Sequence, residues 1–326
     1  MRAGFVALVG RPNVGKSTLL NQILGEKLAI ATPRPQTTRE RLLGVLHRPD
    51  LQIGFVDTPG LHRPTGPGRT KLNQYMVDEA KQALGSVDVV VLLVEPPEPP
   101  PPPRPPRPGQ RPRPERGPQP FRIDGAMQAV LDEVTASKRP TILALNKVDS
   151  LKDKRQLLPL LEVFGKLPFV AMVPISAKTG LGVPQLVDEV IKLLPEGEPL
   201  FDDDTLTDRA ERWFVTEYVR EQVFLLTKRE VPYSVAVSVD EFEDKPPRNP
   251  KTGREIRVSA TISVEKEAHK RILVGEGGRM IREIGSRARQ ELAQRFDATV
   301  HLILFVRVDE GWTGNPHKLR ELGYEA

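Results

Sequence analysis

The chain has 326 residues, no cysteine and a net charge of +5, spread as +4 over 1–95, +4 over 96–122, −1 over 123–199 and −2 over 200–326. That length has room for two cores, and the absence of cysteine excludes a disulfide framework and a thiolate metal centre. No run approaches the roughly 18 apolar residues of a membrane span, and Met1 to Gly10 lacks a signal-peptide profile, so a soluble cytoplasmic protein is expected.

Phe5–Val9 reads as a buried strand, and the octet after it, Gly10-Arg11-Pro12-Asn13-Val14-Gly15-Lys16-Ser17, fits the phosphate-loop pattern G-x-x-x-x-G-K-[ST]. Gly10 and Gly15 let the backbone turn its N–H groups toward phosphate oxygens. A helix over 16–24, with Thr18 in its first turn, adds the positive end of a dipole. Lys16 can reach the β- and γ-phosphates, and the Ser17 hydroxyl can ligate Mg²⁺. The polar stretch Thr32 to Arg39 reads as a switch loop that should offer Mg²⁺ a threonine, Thr37 or Thr38, with Thr38 the choice. A strand at Gln52–Val56 then delivers Asp57-Thr58-Pro59-Gly60, where Asp57 can hold Mg²⁺ through water and the Gly60 N–H can bond the γ-phosphate. The next residue, Leu61, can neither donate nor accept. The attacking water must therefore be placed by backbone or by a group from elsewhere.

A helix at 70–84 and an all-apolar strand at Val87–Val94 lead into the tract 96–120, which holds 14 of the 33 prolines. Proline lacks the donor for a helix or a central strand, so this reads as a solvated polyproline insertion on the surface. Its five arginines make RNA contact imaginable, with a tolerated insertion the plainer reading. A helix at 124–137 and the strand Thr141–Leu145 follow, ending in Asn146-Lys147-Val148-Asp149. The Asp149 carboxylate can accept from guanine N1–H and its 2-amino group, neither of which adenine offers. Asn146 can tie this loop to the phosphate loop, and the stem of Lys147 can lie along the base. A helix at 153–164, a strand at Phe169–Ile175 and a helix at 182–194 complete the series. Between the last two stand Ser176, Ala177 and Lys178, where the Ala177 N–H could meet guanine O6. Alternating strands and helices imply an α/β domain over 1–194, a mostly parallel sheet with helices on both faces.

Residues 195–208, with Pro195, Pro199 and the acids Asp202 to Asp204, read as a linker. Beyond it the order is helix 209–228, strands 232–241 and 255–265, helices 268–274 and 279–296, and strand 299–309. That is a second, α+β domain over 209–326. His269 and His301 stand alone and do not suggest a metal site. Trp213 and Trp312 read as packing residues.

The phosphate loop, residues 35–44, residues 57–64, Asn146–Asp149 and Ser176–Lys178, in this order, resemble the Era family of bacterial GTPases over nearly the whole chain, the proline tract apart. The resemblance implies a P-loop GTPase domain joined to a type II KH domain. It implies hydrolysis of GTP to GDP with Mg²⁺, and maturation of the small (30S) ribosomal subunit through the 3′ end of 16S rRNA. The hydrophobic Leu61 matches that wider class. In related GTPases an asparagine at the place of Asn13 helps hold K⁺, so Asn13 joins Lys16, Thr38 and Gly60 as a catalytic candidate, although a residue suited to a tight turn is an equal reading. Peripheral association with the inner membrane face is also known for the family, and a monomer is expected. In the second domain, Val274-Gly275-Glu276-Gly277-Gly278-Arg279-Met280-Ile281 fits the KH signature [VI]-G-x-x-G-x-x-I, a loop that clamps about four nucleotides. Arg282 follows it within a basic stripe of Lys270, Arg271, Arg279, Arg282, Arg287, Arg289 and Arg295. Two other readings stand beside this one. One is an RNA-binding assembly scaffold whose nucleotide is structural, and the other is a P-loop ATPase or kinase, against which Asn146–Asp149 argues.

Overall fold

The computed structural model describes residues 1–61, 70–96, 121–151, 153–228, 230–245 and 253–324. The polyproline expectation therefore lies, beyond Pro96, outside the described residues.

The first domain is a six-stranded sheet in the order β2-β3-β1-β4-β5-β6, built from β1 (Arg2–Gly10), β2 (Leu42–Arg48), β3 (Leu51–Asp57), β4 (Val89–Val94), β5 (Thr141–Leu145) and β6 (Ala171–Pro174). Every pairing is parallel except β2 with β3. Successive strand residues point to opposite faces, so an apolar strand feeds two cores at once. Val89, Val91 and Leu93 enter one cluster with α1 (Lys16–Leu24) and α5 (Val183–Leu193). Val90, Leu92 and Val94 enter the other with α2 (Lys71–Gly85), α3 (Gly125–Ala136) and α4 (Leu158–Phe164). The loops after β1, β3 and β5 all leave from the carboxyl edge of this sheet, where they converge.

The antiparallel strand β2 is absent from the sequence reading. Gly44 interrupts its apolar pattern, and the reason is tertiary. A Cβ at Gly44 would lie 2.7 Å from Leu24 and 3.0 Å from Leu20, because α1 crosses the strand there.

In the second domain, α6 (Glu211–Leu226), β7 (Val235–Lys245), β8 (Arg254–Val264), α7 (Glu267–Val274), α8 (Arg279–Phe296) and β9 (Ala298–Val308) follow the expected α-β-β-α-α-β order. The sheet runs β7-β8-β9, antiparallel then parallel. A short helix, α9 (Pro316–Glu321), closes the chain and was not foreseen.

Residues 195–208 are fastened to the first domain. The Val45 N–H donates to the Leu206 carbonyl at 2.8 Å, so the segment extends the free edge of β2. The Gln52 carboxamide donates to the Phe201 carbonyl and accepts from the Leu200 N–H at 2.7 Å. One buried apolar cluster then runs from Leu20 and Ile30 to Tyr218 and Val223 of α6 and on into the second sheet. A smaller cluster joins Leu72, Tyr75 and Met76 of α2 to Trp312, Leu319 and Tyr324.

Candidate functional sites

The loop between β1 and α1 has a backbone that requires glycine. Gly15 sits at φ +98°, and a Cβ there would meet the Asn146 side-chain nitrogen at 2.3 Å. Gly15 is also the N-cap of α1, which has no side-chain cap and no acidic residue in its first turn. The first N–H groups of α1 are thus left for an anion. By contrast α2 and α3 begin under the side chains of Thr70 and Asp124.

A cavity of about 1090 Å³ opens in front of this loop. Of the candidate nucleotide-binding residues it is walled by Pro12, Asn13, Gly15, Lys16, Ser17, Thr18, Thr38, Gly60, Asn146, Lys147, Asp149, Ala177 and Lys178. The remaining candidates stand behind this wall. Val14 packs into the core, and Thr58 is buried and donates to the Leu8 carbonyl at 2.8 Å. Arg11 turns away to pair with Asp124 at 2.9 Å. Gly10, Asp57, Pro59 and Ser176 also sit behind it, Gly10 at φ +154° with the Leu93 carbonyl 2.6 Å from where a Cβ would be.

At the phosphate end, Ser17 Oγ donates to Asp57 Oδ2 at 2.6 Å, and Thr38 Oγ1 lies 2.9 Å from Ser17 Oγ and 3.3 Å from Asp57 Oδ2. Three oxygens from three separated segments meet at one point. The other Asp57 oxygen, Oδ1, is buried without a hydrogen-bond partner. A hydroxyl–carboxylate set with one unpartnered buried oxygen fits a hard cation such as Mg²⁺. Thr37 turns the other way, its hydroxyl 2.6 Å from that of Thr32 and donating to the Arg34 carbonyl at 2.9 Å. Lys16 is buried and donates to the Arg11 carbonyl at 3.3 Å. Burial pushes its ammonium below the usual range and Asp57 partly offsets this. Burial likewise raises the Asp57 carboxyl, against the pull of Lys16 and the two hydroxyls.

At the base end, Asn146 is buried and holds two loops together. Its Nδ2 donates to the Val14 carbonyl at 2.7 Å, and its Oδ1 accepts from the Ala177 N–H at 2.8 Å. Ser176 Oγ donates to Asp149 Oδ1 at 2.7 Å, fixing the carboxylate at the rim of the cavity. Lys147 takes a left-handed conformation (φ +63°) and forms an ion pair with Glu95. Glu95 is a wall residue that no motif pointed to; its only signal was its place at the carboxyl end of β4. Leu61 is 3% exposed and packs into the core.

In the second domain, Gly275, Gly277 and Gly278 all have positive φ, at +69°, +55° and +77°. A Cβ on Gly275 would lie 2.8 Å from that of Met280. Gly278 caps α8 without any side-chain cap. Glu276, Arg279 and Arg282 are exposed beside it, while Val274 and Ile281 are half-buried anchors. Not all of the basic stripe faces outward. Arg295 pairs with Glu26 of the first domain at 2.9 Å and stacks over Phe214. Of the isolated polar residues, His269 is buried against Ser234 and Trp312 is wholly buried, donating to the Ser234 carbonyl.

The chain matches a family described as 50S ribosome-binding GTPase over residues 5–147 and a KH domain family over 230–313. It is similar to GTPase Era of Syntrophus aciditrophicus (strain SB), with 44% identity over 324 residues, 99% of this chain and 95% of that one. Two solved structures are similar over the whole of both chains. One is a variant of Aquifex aeolicus Era bound to GDP·AlF4⁻ (38% identity, TM-score 0.85). The other is Era in complex with MgGDPNP and nucleotides 1506–1542 of 16S ribosomal RNA (37% identity, TM-score 0.87).

Proposed function

We propose, from the premise that the chain belongs to the GTPase Era family, that it is a GTP-hydrolysing switch that binds the 3′ end of 16S rRNA and assists maturation of the 30S subunit. One observation carries the reading. A single cavity has uncapped helix N–H groups and the Ser17 and Thr38 hydroxyls, backed by the buried Asp57 carboxylate, at one end, and Asp149 held by Ser176 at the other. The first end suits a triphosphate and the second a guanine.

In this reading residues 1–194 form the GTPase domain, 195–208 the connection and 209–326 the KH domain. The phosphate-loop N–H groups and Lys16 spread charge over the phosphates, and the Gly60 N–H meets the γ-phosphate. Mg²⁺, held by Ser17, Thr38 and Asp57, supplies positive charge to the transferring group when bound. With Leu61 in the core, backbone near Gly60 places the water. A role for K⁺ at Asn13 belongs to this reading through the family resemblance; its φ of +64° and the amide bond to the Pro33 carbonyl at 3.1 Å are what a tight turn also asks of an asparagine. Equal turnover in K⁺ and Na⁺ would remove that part.

For RNA, the start of α8, with no side-chain cap and three glycines of positive φ before it, lets a phosphate backbone approach closely, flanked by Arg279 and Arg282. The site of work is the cytoplasm and the acting unit a monomer. Crosslinking to RNA in cells tests the proposal, with Gly275 and Gly278 each replaced by Asp. Loss of reads from the 3′ end of 16S rRNA is the expected result, and unchanged reads overturn it. Equal RNA affinity with GTP analogue and with GDP would return the molecule to a scaffold with a structural nucleotide.

A further inference from the structure

Thr38 lies on a loop between α1 and β2 that has no ladder to hold it. The first domain holds the loop's beginning through Asn21, bonded to Leu28 and Ala29, and through the Asn13 amide on the Pro33 carbonyl, and its end through Glu79, which accepts from the Arg41 N–H. Further anchors come from the second domain. Glu221 of α6 accepts from the Ala31 N–H at 3.2 Å, and the Arg34 guanidinium donates to the Thr227 carbonyl. The residues on either side of Thr38 are pinned most firmly. Arg220 of α6 donates from Nη1 to the Thr37 carbonyl at 2.6 Å, while its Nε and Nη2 fork onto the Glu217 carboxylate. Arg39 runs in the opposite direction. Its Nη1 donates to the Val235 carbonyl at 2.6 Å and to Tyr324 Oη at 3.0 Å, and its Nη2 to the Pro232 and Tyr233 carbonyls, both at 3.3 Å. The rings of Trp312 and Tyr324 lie 5.9 and 6.0 Å from this guanidinium.

Both arginines are buried, at 2% and 3% exposure. A buried guanidinium is costly to desolvate, and it persists where its donors are all used. Burial disfavours the charge on Arg220, and the Glu217 carboxylate more than restores it. The same is not true of Arg39, whose guanidinium is pushed down by burial and by the charge of Arg220, with only partial return from Tyr324 and Glu217. Carbonyl oxygens and aromatic faces hold it instead. Arg-specific geometry is therefore required at both places, because a forked, planar donor set spans partners that an ammonium cannot reach together.

We infer that Arg220 and Arg39 are positioning residues for hydrolysis: from the second domain they fix the backbone on both sides of Thr38, and so hold its hydroxyl beside Ser17 and Asp57. This rests on the reading of Thr38 as a Mg²⁺ ligand. The GTPase centre is then complete only while α6 and the start of β7 are docked on the threonine loop. GDP binding draws on the phosphate loop and the base loops, which these arginines do not touch, so the effect is confined to the triphosphate state.

The test compares Arg220→Gln, Arg220→Lys and Thr38→Ala in the full-length protein. Measured are kcat for GTP, its dependence on Mg²⁺ concentration, and the dissociation rates of fluorescent GDP and of a fluorescent non-hydrolysable GTP analogue. Arg220→Gln should lower kcat by one to two orders of magnitude and raise the Mg²⁺ requirement. Analogue dissociation should quicken about tenfold and GDP dissociation less than threefold. Arg220→Lys should recover part of the loss, since an ammonium can still donate to the Thr37 carbonyl. A folded Arg220→Gln protein with kcat within twofold of the parent and an unchanged analogue-to-GDP ratio overturns the inference. A Thr38→Ala protein with full activity instead defeats the reading beneath it. Should Arg220→Gln not fold, Arg39→Lys and Glu217→Gln take its place; a severalfold rise in the same ratio supports the inference, and an unchanged ratio in both overturns it.

Discussion

Asn146 and Gly15 should behave as one unit, and a double-mutant cycle measures it. Asn146→Ala removes the bond to the Val14 carbonyl and the one from the Ala177 N–H. At about 1 kcal/mol for each bond the change costs ~2 kcal/mol, or about 30-fold in GDP affinity where the loss falls on binding. Gly15→Ala carries two penalties. A non-glycine residue held at φ +98° costs roughly 1–2 kcal/mol, and its Cβ, 2.3 Å from Asn146 Nδ2, expels that side chain and its two bonds. The single change should therefore cost about 3–4 kcal/mol. In the double mutant the amide has already gone, so the cost stays near that of Gly15→Ala alone. The shortfall against additivity is about 2 kcal/mol. Titration with fluorescent GDP and thermal unfolding, read together, give the total for each protein. Additivity within about 0.5 kcal/mol would show that Asn146 does not fasten the base loop to the phosphate loop, and the reasoning would fail.

Other expectations are more direct. Asp149→Ala should weaken GDP by about 100-fold or more through loss of two charge-assisted hydrogen bonds, with ADP gaining nothing; equal competition by GDP and ADP in the parent protein would end the guanine assignment. Thr38→Ala should depress phosphate release strongly at unchanged GDP affinity. Thr37→Ala removes two bonds internal to the loop and should cost about 2 kcal/mol of stability, so equal effects on phosphate release would erase the distinction between them. Chelating Mg²⁺ should speed GDP release from the parent and leave Asp57→Ala unchanged, which stopped-flow displacement reads. Gly44→Val should destabilise the first domain without touching specificity, because α1 leaves no room there for a side chain; an unchanged unfolding temperature would contradict it.

The sheet and its loops were legible because buried parallel strands are apolar at every position and end in motifs of fixed spacing. Thr141–Leu145 is such a strand, and the structure gives it the same bounds. β2 was hidden for the opposite reason: its pattern is broken by Gly44, whose need comes from a helix packed across it. The sequence favours Thr38 over Thr37 with little to separate the two. Adjacent hydroxyls differ only in which way the loop turns, and the backbone beside them is bonded by Arg220 and Arg39 across 183 and 196 residues of sequence. Arg39 was visible as a residue but not as an anchor, since its acceptors are backbone carbonyls, which carry no sequence signature. Arg295 misled in a simpler way, looking like part of a basic face while serving the contact with Glu26.

The same local device occurs twice in this chain, and its surroundings set what each copy can hold. Both α1 and α8 start from a left-handed glycine with no side-chain cap and no acidic residue in the first turn, so in both the positive end of the helix is open to an anion, although at α8 the Arg279 N–H turns back onto the Glu276 carbonyl. Around α1, Asn146 pulls the base loop down onto the phosphate loop, and the threonine loop closes the side. The anion there must belong to a molecule small enough for a walled cavity of about 1090 Å³. Around the start of α8, Glu276, Gly277, Arg279 and Arg282 are exposed. A phosphate that docks there can continue as a chain in both directions, which is what a polymer requires and a mononucleotide does not. On the proposed assignments, the difference between a nucleotide pocket and a nucleic-acid groove lies in the loops around the helix start, with the helix start itself common to both.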